Sequence, residues 1–218
     1  MDNKPHTRKA VGRPSGADNE KVRSALLNAA RQHFIQSEFK AVSVRQIAET
    51  AGVNGAMVSY YFGNKLGLYL AMVEELLATL EASFGELSDS QEVTLEDFSR
   101  NYSRILAENP WWPNFMVREV LFSEGETRDA VVALFSSSFA SRLLGKINQE
   151  IESGHYRSDL NPALTMISLM GMTVFPFIAK PIMQQVLKVD LDSSAVEMLA
   201  NHNISLFHHG VLQQDSKQ

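Results

Sequence analysis

Residues 43–65 read SVRQIAETAGVNGAMVSYYFGNK, a pattern that predicts two short helices joined by a tight turn. Ser43 and Gln46 have the S-x-x-Q spacing of a capping box, which marks the start of the first helix. Gly52 stands where the chain must turn sharply, and glycine accepts the positive φ that such a turn needs. Asn54 is placed to cap the second helix. The segment therefore predicts a helix-turn-helix.

The two predicted helices each have an apolar and a polar side. The apolar residues recur at helical spacing and would pack against each other: Ile47, Ala48, Ala51, Val58, Tyr61 and Phe62. A second set is left facing outward: Asn54, Gly55, Ala56, Met57, Ser59 and Tyr60. In a helix-turn-helix, the outward face at the start of the second helix is the part that enters the major groove of DNA.

The small and apolar residues of the helix-turn-helix pattern are present at Ile47, Ala48, Gly52, Val53 and Val58. Because they follow one amphipathic helix near the N-terminus, they resemble the TetR family of bacterial transcriptional regulators. The resemblance covers about residues 22–69, and the rest of the chain matches only in length and helical character. It implies an all-α fold, with an N-terminal three-helix DNA-binding head joined by a long helix to a larger effector-binding and dimerisation body.

Helical periodicity continues through the rest of the chain, with no alternating strand pattern and no internal repeat. We expect a basic arm over 1–18, a DNA-binding domain over 19–65 and an effector-binding and dimerisation domain over 66–218. Further helices are predicted at about residues 66–84, 95–106, 111–122, 127–153, 162–178 and 193–212, with a linker over 85–93 and a short segment at 181–187. Asn161-Pro162 predicts the start of a helix, and Pro176 predicts a kink within it. The last helix would be capped by Asp192 or Ser193.

Composition excludes several classes of protein. The 218 residues include no cysteine, which rules out disulfides, thiolate metal sites and cysteine nucleophiles. No stretch of 18 apolar residues exists and the N-terminal segment has no apolar core of a signal peptide, so a cytoplasmic protein without a membrane span is expected.

The charge of the chain is divided unevenly. Residues 1–70 hold 10 Lys or Arg and 5 Asp or Glu, whereas residues 71–218 hold 10 and 20. A basic head would meet phosphates, and an acidic body would stay away from them. The alternative is that these charges only keep the surface solvated.

The N-terminal arm has too little apolar surface to order by itself. Its Gly12-Arg13-Pro14 resembles the core of an AT-hook, in which an extended arginine lies in a narrow minor groove. Either Arg13 reads the minor groove, or the arm is a tail that only adds positive charge.

Candidate DNA contacts follow from the motif and from the resemblance. The predicted DNA-binding residues are Arg13, Ser43, Arg45, Asn54, Gly55, Met57, Ser59, Tyr60 and Lys65. Arg45 would reach a guanine edge or a phosphate, and Ser43 would contact phosphate while also capping its helix. The resemblance implies phosphate contacts for Tyr60 and Lys65. Many relatives have an aromatic residue where this chain has Ser59.

The body contains a set of aromatic residues and methionines with two charged residues among them. This set predicts a cavity for a flat or apolar small molecule. The candidate lining residues are Trp111, Trp112, Phe115, Met116, Arg118, Glu119, Met166, Met170, Phe175 and Phe177. The alternative is that the apolar members form ordinary core. A bound effector would favour a spacing of the heads that no longer fits the operator.

Dimerisation is predicted on two grounds. The resemblance implies that helices at about 162–178 and 193–212 form a four-helix interface with a second copy. One small head also contacts few base pairs, whereas a two-fold dimer places two recognition helices about 34 to 36 Å apart on a palindromic duplex operator. The alternative is that these helices are ordinary core.

An enzyme is not expected. His202, His208 and His209 lack metal-pair spacing, and no Gly-rich phosphate loop with Lys and no G-x-S-x-G elbow occurs, so neither a metal nor a cofactor is predicted. A helical adaptor or membrane-surface protein is disfavoured by the acidic body. The prediction is a ligand-responsive, homodimeric transcriptional repressor. An activator of the same fold remains the alternative.

Overall fold

The computed structural model describes residues 16–82 and 94–213, and the regular structure in this part of the chain is helical. The head contains α1 (Gly16–Gln36), a 3-10 turn (Phe39–Ala41), α2 (Val44–Ala51) and α3 (Ala56–Phe62). Its core is formed by fully buried side chains, among them Leu26, Ala30, Phe34, Ile47 and Val58. The predicted all-α fold with an N-terminal helix-turn-helix is confirmed.

The start and end of α2 match their sequence signals. The Gln46 amide donates to Ser43 Oγ at 3.2 Å, and the Ser43 amide donates to Gln46 Oε1 at 2.8 Å, which completes the capping box. Gly52 ends the helix with φ of 67°. A Cβ atom at Gly52 would meet no heavy atom within 4 Å, so the left-handed backbone and not a lack of space requires glycine here.

Helix α3 begins one residue later than a cap at Asn54 would imply. Gly55 is the N-cap residue, and Asn54 satisfies the helix start from one position further back by accepting a hydrogen bond from the Ala56 amide at 2.8 Å. On the inner side of α3, Val58 is fully buried. The Tyr61 hydroxyl donates to Asn19 Oδ1 at 2.9 Å and so ties α3 to α1.

Helix α4 (Lys65–Ala82) connects the head to the body. Asn64 caps it by accepting a hydrogen bond from the Gly67 amide at 2.8 Å. A Cβ atom at Gly67 would lie 2.0 Å from the carbonyl oxygen of Phe62, so the corner between α3 and α4 has no room for any side chain. Further along, α4 packs against α1 and against the body.

Over residues 94–213, the described part of the body contains seven further helices and three π-helical turns. The helices are α5 (Leu95–Glu108), α6 (Trp112–Met116), α7 (Glu126–Phe135), α8 (Ser141–Glu152), α9 (Pro162–Ile178), α10 (Lys180–Ile182) and α11 (Ser193–Val211). The π-helical turns are Val117–Leu121, Ser136–Ala140 and Met183–Leu187. Helix α5 packs against α9 and α11, and α8 packs against α9.

The helix ends of the body largely follow their predicted signals. Asn161 caps α9 through the Leu164 amide at 3.1 Å, with Pro162 in the first turn. Asp192, and not Ser193, caps α11 through the Ala195 amide at 2.8 Å. A capping box of Thr94 and Asp97 at the start of α5 was not predicted.

Three segments differ from prediction. The helix expected over 127–153 is interrupted by the π-helical turn Ser136–Ala140, and the helix expected over 111–122 ends in the turn Val117–Leu121. Pro176 lies inside α9, and the 61° change of direction falls after Ile178. The expected 85–93 linker and Gly12-Arg13-Pro14 lie outside the described residues.

In the part of the chain that the structure describes, no single helix is long and apolar enough to cross a membrane. Pro162–Ile178 and Lys180–Leu187 would reach the required length and apolarity only as a pair bent by 61°.

The turn at Gly52 yields a prediction. Gly52→Val should destabilise the protein by about 1 to 3 kcal/mol, because a β-branched residue is strained at positive φ. Thermal and urea unfolding measure the difference. Gly52→Asn is the matched control, since asparagine adopts this conformation more readily. Equal stability of the valine variant and the wild type would show that the turn does not hold its left-handed backbone.

Candidate DNA interface and effector site

The side of the helix-turn-helix that faces away from the head core is solvent-exposed. Asn54, Ser59 and Tyr60 are exposed on or next to α3, and Arg45 is exposed on α2. The Tyr60 side chain is 68% exposed although its ring packs edge-on against Tyr61 with centroids 4.9 Å apart. Four of the residues predicted to contact DNA are therefore exposed on or next to the two helices of the helix-turn-helix.

Arg45 is held by a neighbour on its own helix. Its Nε lies 2.7 Å from Glu49 Oε1, one helical turn away, and the Arg45 side chain is 86% exposed. An exposed pair of this kind contributes little stability. Arg45 can therefore leave Glu49 for a phosphate or a guanine edge at small cost.

Ser43 is more restricted than the sequence indicated. Its hydroxyl accepts from the Gln46 amide and lies 2.7 Å from Gln46 Oε1, an acceptor to which it donates. A hydroxyl has one hydrogen to donate. In this arrangement Ser43 caps α2, and a phosphate contact would require its hydroxyl hydrogen to leave Gln46 Oε1.

Lys65 also has a structural role that sequence reasoning missed. Its ammonium group donates to the carbonyl oxygens of Phe39 at 2.9 Å and Val42 at 2.8 Å, and lies 4.2 Å from the centroid of the Phe39 ring. Burial lowers the pKa of Lys65. Lys65 therefore stabilises the 3-10 turn before α2. One of its three ammonium hydrogens is left for the predicted phosphate contact.

Two of the residues predicted to contact DNA, Met57 and Gly55, have little side chain available to reach a base. Met57 is half-buried and packs against the head core, so only part of it faces outward. Gly55 carries no side chain, and its Cα lies close to α2, where a Cβ would be 3.8 Å from Val44 Cγ1. Arg13 lies outside the described residues. Base contacts would thus depend mainly on Asn54, Ser59, Tyr60 and Arg45.

Each of the four cavities described below is lined by at most two of the predicted effector-binding residues. Trp112 and Phe115 are buried and stack on each other with ring centroids 5.6 Å apart. Trp111 lies edge-on to Phe115 at 5.9 Å, and Trp112 stacks on Phe135 at 6.1 Å. These rings fill the space between α6 and α7 themselves. Here the alternative of ordinary core fits the geometry better.

The remaining apolar candidates are dispersed. Phe175 is 64% exposed on the outer side of α9, which places it on the surface and not in an interior cavity. Phe177 is buried in the core, and Met116, Met166 and Met170 are half-buried against it. Most of these residues recur at helical spacing because they pack into the core. Phe175 instead belongs to the outer face of α9.

Arg118 contacts the head and Glu119 contacts α4, and the cavity that they line lies between the head and the body. Arg118 donates to carbonyl oxygens at the end of α1, and Glu119 accepts a hydrogen bond from the Tyr69 hydroxyl at 3.1 Å. Burial and the adjacent Glu119 carboxylate raise the pKa of Tyr69, so its hydroxyl stays protonated and donates. No local signal in the sequence indicates these contacts, because the Arg118 partners lie more than 80 positions away.

Four cavities lie between neighbouring helices in the described part of the chain. One of about 400 Å³ separates the head turn at 38–40 from residues 118–127, and includes Arg118 and Glu119 in its wall. One of about 120 Å³ borders Trp112 between α4 and α5. A groove of about 590 Å³ between α5 and α11 contains Arg100 and Arg104, and one of about 470 Å³ lies between α9 and α11.

The histidines of α11 make separate contacts. His208 Nδ1 lies 3.1 Å from Glu96 Oε1 on α5, His209 Nδ1 lies 2.6 Å from the Ser205 carbonyl oxygen, and His202 is exposed. Within the described ranges, no group of three or more His, Asp or Glu residues is arranged to hold a metal ion.

The head is similar in sequence to known regulators. Residues 26–72 match the model of the family described as bacterial regulatory proteins, tetR family. The HTH-type transcriptional regulator RutR of Escherichia coli is 39% identical over 69 residues, which are 32% of each chain. The HTH-type transcriptional repressor NicS of Pseudomonas putida is 32% identical over 81 residues, or 37% of each chain. The matched region thus spans about a third of the length of these relatives.

Solved structures share the fold over most of the chain. The transcriptional regulator FadR of Bacillus subtilis, in complex with stearoyl-CoA, has a TM-score of 0.66 at 17% identity, covering 84% of this chain and 96% of that one. The ketosteroid regulator KstR2 of Mycobacterium tuberculosis has a TM-score of 0.61 at 16% identity, covering 88% and 95%. The head thus matches the model of the tetR family of bacterial regulatory proteins, and the chain as a whole shares the fold of these solved regulators.

Proposed function

We propose that this protein is a sequence-specific DNA-binding transcriptional regulator with a head at 19–65 and a body at 66–218. The observation that carries the proposal is the exposed face of α3, together with the exposed Arg45 on α2. The turn at Gly52 and the capping bonds on both sides of it hold this face away from the head core. A short helix held in this way fits the major groove, where exposed polar side chains meet base edges and phosphates.

The protein works as a homodimer in this proposal. Helices α9 and α11 pack together, with the Asn203 side chain donating to the Met172 carbonyl oxygen at 2.7 Å. Both helices expose large apolar side chains on their outer surfaces, between 54% and 65% exposed: Leu164, Ile167 and Phe175 on α9, and Met198 and Leu206 on α11. Several large apolar side chains exposed on two packed helices are typical of a protein interface. A second copy would cover it and bring a second α3 to the operator.

Regulation in this proposal is repression relieved by a small molecule. NicS is named a repressor, and the FadR structure holds stearoyl-CoA. The body of this chain has the same fold as FadR but its central aromatic residues are closely packed. An effector would therefore have to open the core or use one of the four cavities described above. A bacterial regulator of this kind acts in the cytoplasm, where the DNA is.

The direct test is selection of bound fragments from random duplex DNA with the purified full-length protein. Recovery of a palindromic sequence, with half-sites separated by about one helical turn, is the expected result. Recovery of no sequence above background at low salt, where phosphate contacts are strongest, would overturn the proposal.

The phosphate contacts can be counted by their salt dependence. Lys65→Ala and Arg45→Ala should each weaken binding, and each lost phosphate contact should lower the slope of log K against log salt by about 1. Binding is measured by fluorescence anisotropy at several salt concentrations, below the melting temperature of each variant, because Lys65→Ala also removes two hydrogen bonds within the head.

Arg104→Ala is the matched control for this series. It removes the same charge from an exposed position on α5, and the slope should stay at its wild-type value. If the slope is unchanged for Lys65→Ala or Arg45→Ala, that residue does not contact phosphate. In the case of Arg45, weaker binding to the selected site alone would instead assign it to a base.

The dimer face yields a separate prediction. Ile167→Glu places a charge in the middle of the apolar face, and burial of an unpaired carboxylate should convert the dimer to monomer. Sedimentation velocity at micromolar concentration measures the change. Phe122→Glu is the control, because Phe122 is 83% exposed and lies away from α9 and α11. A dimer that survives Ile167→Glu would place the interface elsewhere.

A further inference from the structure

The exposed face of α3 begins with an asparagine-glycine pair. Of all the asparagines in the chain, only Asn54 is followed by glycine. Asn54 is exposed, and Gly55 is the N-cap residue of α3. An asparagine side chain can be attacked by the backbone nitrogen of the next residue, which closes a succinimide ring. Glycine favours this attack because it has no side chain to crowd the nitrogen.

The Asn54 side chain is folded forward over the Gly55 peptide. Its Oδ1 accepts a hydrogen bond from the Ala56 amide at 2.8 Å, two residues ahead. Attack on Asn54 Cγ places negative charge on this same Oδ1. The Ala56 amide already donates to the atom on which the charge develops, so it stabilises the intermediate in the manner of an oxyanion hole.

The attacking nitrogen is not held by the helix. Gly55 precedes the first turn of α3, and amides at the start of a helix have no carbonyl partner within it. A Cβ on Gly55 would be in ordinary contact with α2, 3.8 Å from Val44 Cγ1 and 4.0 Å from Ala48 Cβ. The pair thus has an exposed electrophile, a polarising donor and an uncrowded nucleophile.

We propose that Asn54-Gly55 is a self-modification site, at which the DNA-binding face loses an amide and gains a carboxylate as the protein ages. The Gly55 nitrogen forms a bond to Asn54 Cγ, and the side-chain nitrogen leaves as ammonia together with the hydrogen of the Gly55 amide. Water then opens the succinimide. Opening at Cγ gives aspartate at position 54, and opening at the main-chain carbonyl gives isoaspartate.

Both products change the surface that α3 presents. Aspartate still accepts from the Ala56 amide, so α3 keeps its start, but the amide donors are lost and a negative charge faces the phosphates. Isoaspartate carries the chain through an additional carbon, which disturbs the hydrogen bond of 2.9 Å from the Met57 amide to the Asn54 carbonyl oxygen. Each product lowers the affinity for duplex DNA. This consequence rests on the proposed function, whereas the chemistry at Asn54 does not.

The first test follows the chemistry in the full-length protein without DNA. The native protein is incubated at mildly alkaline pH, and peptide mass spectrometry follows residue 54. The amide should become an acid, with isoaspartate among the products, and the rate should rise with pH because the deprotonated nitrogen attacks. Asn114, which is exposed on α6 and followed by Phe115, is the internal control and should keep its amide.

Gly55→Ala is the variant that blocks the reaction. Conversion of Asn54 should be about tenfold slower, because the added Cβ crowds the attacking nitrogen and restricts the backbone. The Cβ makes only ordinary contacts, so the variant should fold. Conversion in urea-denatured protein but not in native protein would overturn the proposal, as would an equal rate in Gly55→Ala.

The second test measures the effect on DNA binding by fluorescence anisotropy. Asn54→Asp should bind the selected duplex about tenfold more weakly, because it loses base donors and repels phosphate. Asn114→Asp is the matched control, since it makes the same change at an exposed position of the body and should bind as the wild type does. Aged wild type should lose binding in proportion to the converted fraction, and aged Gly55→Ala should keep the affinity that it had when fresh.

Undiminished binding by Asn54→Asp, or by aged protein in which residue 54 has been converted, would refute the effect on DNA binding. If fresh wild type binds no duplex, the proposed function fails. The mass measurement still decides whether Asn54 modifies itself.

Discussion

Tyr69 is the side chain on which the connection of head and body depends. Its ring packs against Phe34 and Phe39 of the head and lies 5.9 Å from Phe115 of the body, and its hydroxyl donates to Glu119. Tyr69 lies in the second turn of the connecting helix α4 and is fully buried. A ring in this position gives the two parts a shared core, which is why α4 can act as more than a linker.

Much of the fold could be predicted because its signals are local. A capping box acts over three residues, and the caps at Ser43 and Asn161 and the turn at Gly52 lie where the sequence places them. The π-helical turns could not be predicted in this way. They depend on how a helix meets its neighbours, and the sequence around 136–140 reads as an uninterrupted helix.

In the candidate site, too, the local features could be predicted and the long-range contacts could not. The exposure of Asn54, Ser59 and Tyr60 follows from the helical period of their own segment. The structural roles of Lys65 and Arg118 do not, because both bind carbonyl groups that lie more than 20 positions away. The aromatic residues of α6 show a further limit of sequence reasoning: core and ligand cavity require the same residue types at the same spacing, and only packing distinguishes them.

The corner at Gly67 has a mechanical consequence. Because the Phe62 carbonyl leaves no space for a β-carbon, α3 and α4 approach each other closely at this corner. A tilt of α4 would therefore carry α3 with it.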